Sequence, residues 1–174
     1  FTLLDQKIWQ HSVATAILSR ILMLKIDKKM VEEAFLLGLM HDIGISVMKM
    51  NIDSYEDFLQ YVYNENLLLY KEEVERFNLS HAYVGAKLLE YWKMAEVYSD
   101  VVLNHHSPDL SKYEKLANVI FYANSYINSI NIGISRDNED VKTAYKLGLE
   151  ADELEDTKLI FMEVYKKEKE LFGI

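Results

Sequence analysis

Cysteine is absent from the 174 residues, and the chain has only one proline and six glycines. Without cysteine there are no disulfides and no thiolate ligands, which is typical of proteins in a reducing compartment, so we expect a cytoplasmic protein. The scarcity of proline and glycine leaves few breaks in regular structure and favours helices. No segment alternates apolar and polar residues as a half-buried strand does. These absences predict an all-α fold.

Long apolar runs and excess positive charge are also missing. No run reaches the roughly 18 apolar residues that a membrane-spanning helix needs. The 19 Lys and Arg residues face 28 Asp and Glu residues, a formal net charge of −9, and an acidic surface repels phosphate backbones. We therefore expect no nucleic acid and no membrane among the partners. The chain opens on the periodic apolar segment FTLLDQKIWQHS rather than on Met, and we expect further residues upstream.

Apolar residues recur at helical spacing and predict a compact bundle of about nine helices. The predicted helices cover residues 4–24, 28–41, a third opening at Ser54, 67–77, 80–92, 95–105, a seventh from Ser111 to 131, 139–147 and 151–172. Gly44 is predicted to follow the second helix as its C-terminal glycine, and Ser111 with Glu114 to form a capping box. Residues 1–132 would form the core, and residues 133–174 a C-terminal helical extension of the same domain.

Histidine is the residue type that points to chemistry. The five histidines are His11, His41, His81, His105 and His106. His41 is followed by Asp42 in LLGLMHDIG, and the last two stand together in VVLNHHSP. Imidazole and carboxylate ligands suit Fe, Mn, Zn or a similar first-row ion. Such an ion can polarise a phosphoryl oxygen and lower the pKa of a bound water.

Each of these residues also has a structural interpretation. His11 interrupts an apolar face of the first helix and points inward, where a histidine can be a hydrogen-bonded core residue. Asn124 interrupts an apolar face of the seventh helix in the same way and can be a satisfied core amide. His105 and His106 project about 100° apart on a helix, so at most one readily faces a given site. The residues alone leave both interpretations open.

Taken together, these strings resemble the HDOD family of the HD superfamily. The similar segments, in chain order, are Trp9 to Ala14, EEAFLLGLMHDIG at 32–44, EEVERFNLSHAYVGAKLLEYW at 72–92, NHHSP at 104–108 and LANVIFYANSY at 116–126. The resemblance spans nearly the whole chain but lacks the family's N-terminal helices. It implies an all-helical HD-type bundle and a role in bacterial signalling, in a family whose members generally are not enzymes.

The related HD phosphohydrolases and HD-GYP phosphodiesterases hold metal with histidines, a His-Asp pair and a final Asp. By resemblance, the ligand-like positions here are His11, His41, Asp42, His81 and one or both of His105 and His106. At the position of the final Asp, this chain has Asn124. Asn is a poorer metal ligand than Asp, so by resemblance Asn124 is either a lost ligand or a residue that contacts the ligands from outside. The Lys that often follows the HDIG string is Ile45, and no GYP element follows His106.

The resemblance leaves three functions to compare. The first is a regulatory module that acts through signalling proteins without catalysis or cofactor, as a monomer or a homo-oligomer. The second is a metal-dependent phosphohydrolase or phosphodiesterase. The third is a non-catalytic sensor domain that binds Fe, Mn or Zn. Metal content separates the first function from the other two, and turnover separates the second from the third.

Overall fold

A computed structural model describes residues 2–134 and 146–174, and every regular element in these ranges is helical. The nine α-helices described, α1 to α9, are Leu3–Ile26, Val31–Met40, Ile43–Asn51, Tyr55–Glu65, Leu69–Phe77, His81–Tyr91, Glu96–Asn104, Glu114–Ser129 and Ala151–Glu168. Short 3-10 helices include Lys28–Met30, Pro108–Leu110 and Lys169–Phe172. The predicted all-α fold is confirmed. None of the described helices has the length and apolar character that crossing a bilayer requires.

Two local predictions were wrong, and one lies outside the described residues. Gly44 does not terminate the second helix, because the chain turns at His41 and Asp42 and α3 follows at once, with Gly44 buried inside it. Ser111 does not cap α8, since its hydroxyl donates to Asp100 and accepts from the Tyr113 amide at 3.0 Å. The helix predicted at 139–147 falls mostly on residues that the structure does not describe.

The centre of the bundle is α1, which packs against α2, α8 and α9. Nine consecutive residues, from His11 to Ser19, are buried, so this helix is enclosed on all sides over more than two turns. The C-terminal segment packs along α1, and near the start of this helix Trp9 donates from Nε1 to the Phe172 carbonyl at 2.9 Å. Arg20 makes two hydrogen bonds to the Glu168 carboxylate, at 2.9 and 3.0 Å. These contacts hold the C-terminal segment against α1, the helix that also packs against α2 and α8.

A second and smaller apolar cluster lies under α3, α4 and α5. Its buried members are Leu4, Ile45, Met48, Tyr55, Phe58, Leu59, Val62, Leu69 and Ile134. Its aromatic centre joins Phe58 to Phe77, with ring centroids 4.9 Å apart in an edge-to-face arrangement. The hairpin of α4 and α5 therefore rests on its own cluster, apart from the main core around α1.

Glycine allows two pairs of helices to approach at backbone distance. A Cβ on Gly44 of α3 would lie 2.0 Å from the carbonyl oxygen of His81 and 2.7 Å from the amide nitrogen of Gly85, both on α6. A Cβ on Gly38 of α2 would lie 2.6 Å from the Cα of Ala16 on α1. These approaches bring the His41–Asp42 turn against α1 on one side and against the start of α6 on the other.

We predict that Gly44→Ala lowers the free energy of unfolding by about 3 kcal/mol or more, because the new methyl group meets backbone atoms that cannot move alone. Gly85→Ala is the matched control, since its Cβ would meet neighbours at 3.2 to 3.3 Å, two of them side chains. Urea denaturation followed by circular dichroism measures both variants. Equal costs for the two substitutions would contradict the close approach of α3 and α6.

A candidate metal centre of five histidines and one aspartate

The structure brings together all six side chains that the sequence singled out as ligands. His11 comes from α1, His41 and Asp42 from the turn after α2, His81 from the first residue of α6, and His105 and His106 from the end of α7. Four of the imidazoles are buried, with His41 and His105 completely inaccessible, and His106 is half-buried. The ligand atoms form two groups, each spanning no more than 4.8 Å: His11 with His41 and Asp42, and His81 with His105 and His106.

The carboxylate of Asp42 lies between the two groups. Its Oδ2 atom is 3.2 Å from Nε2 of His41 and 3.7 Å from Nε2 of His11. Its Oδ1 atom is 3.3 Å from Nε2 of His81 and 3.6 Å from Nε2 of His105. Each oxygen thus lies beside one pair of imidazoles, so Asp42 would offer one ligand atom to each group.

The contacts of His11 and His41 need more hydrogens than two neutral imidazoles carry. Their Nδ1 atoms lie 2.9 and 2.7 Å from the carbonyl oxygens of Ile132 and Gly38, which only accept, so each Nδ1 carries a hydrogen. A neutral imidazole has one N–H, which leaves both Nε2 atoms as acceptors. These two Nε2 atoms are 3.2 Å apart. Two nitrogen lone pairs at this distance repel each other unless one nitrogen carries a proton or both bind a metal ion.

The second group has the same deficit at one of its contacts. Nδ1 of His105 lies 2.6 Å from the carbonyl oxygen of Val102, and Nδ1 of His81 lies 2.7 Å from a carboxylate oxygen of Glu73. The Nε2 atom of His81 then faces Nε2 of His105 at 3.4 Å and Nε2 of His106 at 3.0 Å. The contact with His105 lacks a hydrogen unless His81 is doubly protonated or a metal ion binds, whereas a neutral His106 with its hydrogen on Nε2 can donate to His81.

Burial and nearby charges decide where a proton can supply that cation. Burial lowers the pKa of His11 to about 4, although the Asp42 carboxylate opposes the shift. Burial also lowers the pKa of His105, and burial with the charges of its neighbours holds the pKa of His106 well below its usual range. Burial disfavours a charged His81 as well, but the carboxylates of Glu73 and Asp42 outweigh it and raise the pKa of His81 to about 10.

In the metal-free protein, a second proton on His81 therefore supplies the positive charge of the second group. His11, in contrast, resists a second proton at neutral pH. Burial alone would raise the pKa of Asp42, but His41 and the hydrogen bonds from the surrounding imidazoles hold it well below its usual value. The carboxylate stays ionised and offers both oxygens. Five imidazole nitrogens and a carboxylate form a donor set that suits Zn, Fe or Mn, and the residues present fit such an ion.

Asn124, the predicted lost-ligand position, lies at the edge of this centre. It lines a small cavity with His11, Asp42 and Asn128. Its Oδ1 atom accepts from Nδ2 of Asn128 at 2.9 Å, so this oxygen is already engaged. The Oδ1 atom of Asn128 is buried and has no hydrogen-bond partner among the described residues. A buried acceptor without a donor is a second indication that an ion or a water molecule binds in the cavity.

The cavity is too small for a substrate. It measures about 10 Å³, the size of one water molecule, and is closed partly by Ile8, Leu69 and Ile134. A groove of about 620 Å³ runs beside it, between α1 and the residues on either side of the His41–Asp42 turn. The groove shares Ile8 and Asp42 with the small cavity. Asp42 is thus the one predicted ligand that borders both spaces.

Sequence reasoning missed two residues behind the imidazoles. Glu73 on α5 is completely buried and contacts His81, and Tyr55 on α4 donates a hydrogen bond to Glu73. The signal for Glu73 is its place between Leu69 and Phe77 at intervals of four residues, where it interrupts an apolar face of α5. That is the same signal that singled out His11 and Asn124.

Comparisons with known proteins agree with this architecture. Among protein families, the chain matches the HDOD domain over residues 3–108. Its fold is similar to the crystal structure of an HDOD domain protein of unknown function from Geobacter sulfurreducens, with a TM-score of 0.69 and 18% sequence identity. That similarity covers 94% of this chain but 59% of the other, so the chain spans about three-fifths of that protein's length. No curated protein matches. Since the family match extends over more than half of its residues, the chain belongs to the HDOD family.

Proposed function

We propose that this HDOD domain is a non-catalytic module of bacterial signalling whose buried His/Asp centre binds a first-row transition metal ion. The single observation that carries the metal is the 3.2 Å contact between Nε2 of His11 and Nε2 of His41. Both rings have their only neutral-state hydrogen committed to a carbonyl, and His11 resists a second proton. A metal ion bound by both Nε2 atoms would satisfy this contact without a proton on His11.

Two half-sites would hold metal, and Asp42 belongs to both. The first half-site uses His11, His41 and Oδ2 of Asp42, and the second uses the other three histidines with Oδ1 of Asp42. When bound, the ion supplies the positive charge that the imidazoles and the carboxylate share. Because the ligands come from four separate parts of the chain, the ion binds only the folded state and stabilises it.

The size of the cavity favours binding without turnover. About 10 Å³ admits one water but no phosphate ester, and the apolar side chains of Ile8, Leu69 and Ile134 help to close it. The neutral Asn124 and the absence of a Lys at Ile45 agree with this interpretation. The output would then be an interaction with signalling proteins. Exposed aromatic residues such as Tyr91 and Trp92, 82% and 52% exposed, are of the kind enriched in protein interfaces.

Elemental analysis of the purified, tag-free protein tests the proposal. We expect at least one Fe, Mn or Zn ion per chain in the wild type and a loss of most of it in His41→Ala, because His41 contacts both His11 and Asp42. His41→Gln keeps a polar side chain of similar size and should lose metal equally, which separates the lost ligand from a cavity. A protein that stays empty after incubation with all three ions would contradict the proposal.

Leu37→Ala is the matched control, since Leu37 is a fully buried residue of α2, the helix that ends just before His41. It should lower the free energy of unfolding by about 2 to 5 kcal/mol through its cavity and still retain metal at temperatures where it is folded. Loss of metal in this variant as well would mean that metal content reports general stability rather than ligation.

A metal-dependent phosphohydrolase or phosphodiesterase is the second candidate, and the groove beside the centre is the observation that favours it. At about 620 Å³ the groove has the volume of a ligand site, and it reaches Asp42. Lys49 lines it but is already paired, with Nζ 2.6 Å from Asp5 and 3.3 Å from Glu56. Hydrolysis of a chromogenic phosphodiester by the metal-loaded protein, lost in His41→Gln, would replace the non-catalytic proposal with this one.

Asn124→Asp should raise metal affinity by on the order of tenfold, the scale at which a single group beside a metal changes binding. The Nδ2 donor of Asn128 is already placed to bond the new carboxylate. Without metal the same variant should be less stable than the wild type, because the new carboxylate loses its hydration on burial beside the neutral ring of His11. Chelator competition measures the affinity, and thermal unfolding with and without metal measures the stability.

Asn118→Asp provides the control, because Asn118 is buried on the same helix and its Oδ1 has no partner in the described parts of the chain. Its Nδ2 donor to the Glu114 carbonyl would be lost, so we expect about 1 to 3 kcal/mol of destabilisation and unchanged metal affinity. If Asn124→Asp neither gains affinity nor loses metal-free stability, Asn124 does not adjoin a metal position.

A further inference from the structure

Helix α5 carries none of the predicted ligands, yet it contacts two of the imidazoles in the second group. Glu73 bonds to His81, and the ring of Tyr70 stacks on His106 with centroids 4.3 Å apart and planes 18° apart. Tyr70 and Glu73 are three residues apart and share one face of the helix. Both contacts fall on the group of His81, His105 and His106.

The carboxylate of Glu73 is held by three donors. Its Oε2 atom accepts from the backbone N–H of His81 at 2.8 Å and lies 2.7 Å from Nδ1 of the same residue. Its Oε1 atom accepts from the hydroxyl of Tyr55, which comes from α4. Tyr55 and Glu73 are completely buried, and His81 nearly so. A carboxylate bonded on both oxygens and from three directions cannot turn away from the ring it faces.

His81 differs in this from the other imidazoles whose Nδ1 contacts are described. His11, His41 and His105 face backbone carbonyls, whereas His81 faces a charged carboxylate. A carboxylate behind a ligating histidine fixes which nitrogen carries the hydrogen, orients the ring and makes the free nitrogen a better donor. The bond is also charge-assisted, and therefore stronger than a bond to a carbonyl.

We propose that Glu73 is the positioning residue of His81: held in place by Tyr55, it keeps a hydrogen on Nδ1 and directs Nε2 at Asp42, His105 and His106. The affinity of the second half-site is then set from outside the ligand set, by the packing of the α4–α5 hairpin. The effect on affinity rests on the proposed function. The effect on the hydrogen at Nδ1 stands in the metal-free protein as well.

Glu73→Gln removes the charge and keeps the shape, so it tests positioning with little change in packing. We expect metal affinity to fall by about 10- to 100-fold, the range for groups that bond to a ligating histidine. Tyr55→Phe leaves the carboxylate in place but removes one of its donors, and should lower the affinity severalfold in the same direction. Glu75→Gln is the matched control, an identical change at an exposed position of the same helix, and should leave affinity unchanged.

Proton NMR of the metal-free protein supplies a readout that a purely structural role would not move. In the wild type, the Nδ1–H of His81 should give a far-downfield resonance protected from solvent exchange, as a buried charge-assisted bond does. It should shift upfield or broaden in Glu73→Gln and remain in Glu75→Gln. Tyr55→Phe, which keeps the carboxylate, should retain the resonance at a changed shift.

The outcomes separate this inference from the proposed function. If the wild type binds metal and Glu73→Gln binds it as tightly as Glu75→Gln, the positioning role is overturned while metal binding stands. If the wild type binds no metal but the Nδ1–H resonance is present and lost in Glu73→Gln, metal binding fails while the positioning of His81 stands. A folded Glu73→Gln protein with an unchanged resonance overturns the positioning role in either case.

Discussion

The contact between one carboxylate and four imidazole nitrogens fixes the relative positions of the helices around it. Asp42 can bond to His41 and His81 at once only if the turn after α2 lies directly against the start of α6. Glycine at position 44 permits that approach, since any Cβ there would overlap the His81 carbonyl. An ionised carboxylate and several imidazoles inside a protein are tolerated only when each compensates the others. The site and the helix packing are therefore one constraint.

The histidines could be predicted as a group because the chain has so few of them and each belongs to a distinctive string. Helical periodicity predicted that His11 points inward from an apolar face, and in the structure α1 is buried on every side from His11 to Ser19. The His41–Asp42 step placed two donors in one turn, which local sequence is enough to establish. Periodicity could not show that both His105 and His106 reach the centre, because that depends on how the chain leaves α7.

Other features depend on contacts between segments distant in the sequence. Glu73 is one of 28 acidic residues, and although its place on an apolar face of α5 indicates burial, only the tertiary packing brings it beside His81. Gly44 has the local appearance of a helix terminator, yet α3 continues through it. The backbone of α6 packs where a side chain at position 44 would lie, so only glycine fits there. Ser111 had a capping partner in sequence, but Asp100 on α7 takes its hydroxyl. For Gly44 and Ser111, tertiary contact overrode a correct local rule.

The enclosure of α1 has a consequence for how the molecule opens. Amide hydrogens exchange with solvent through local opening, and a helix buried on every side opens only when the whole domain unfolds. The amides from His11 to Ser19 should therefore exchange slowest, while those of α4 and α5, which rest on a separate small cluster, exchange through a cheaper local event. The two groups of ligands are then supported by regions that open to solvent at different rates. His11 stays in place in a local opening of α4 and α5 that separates Glu73 from His81.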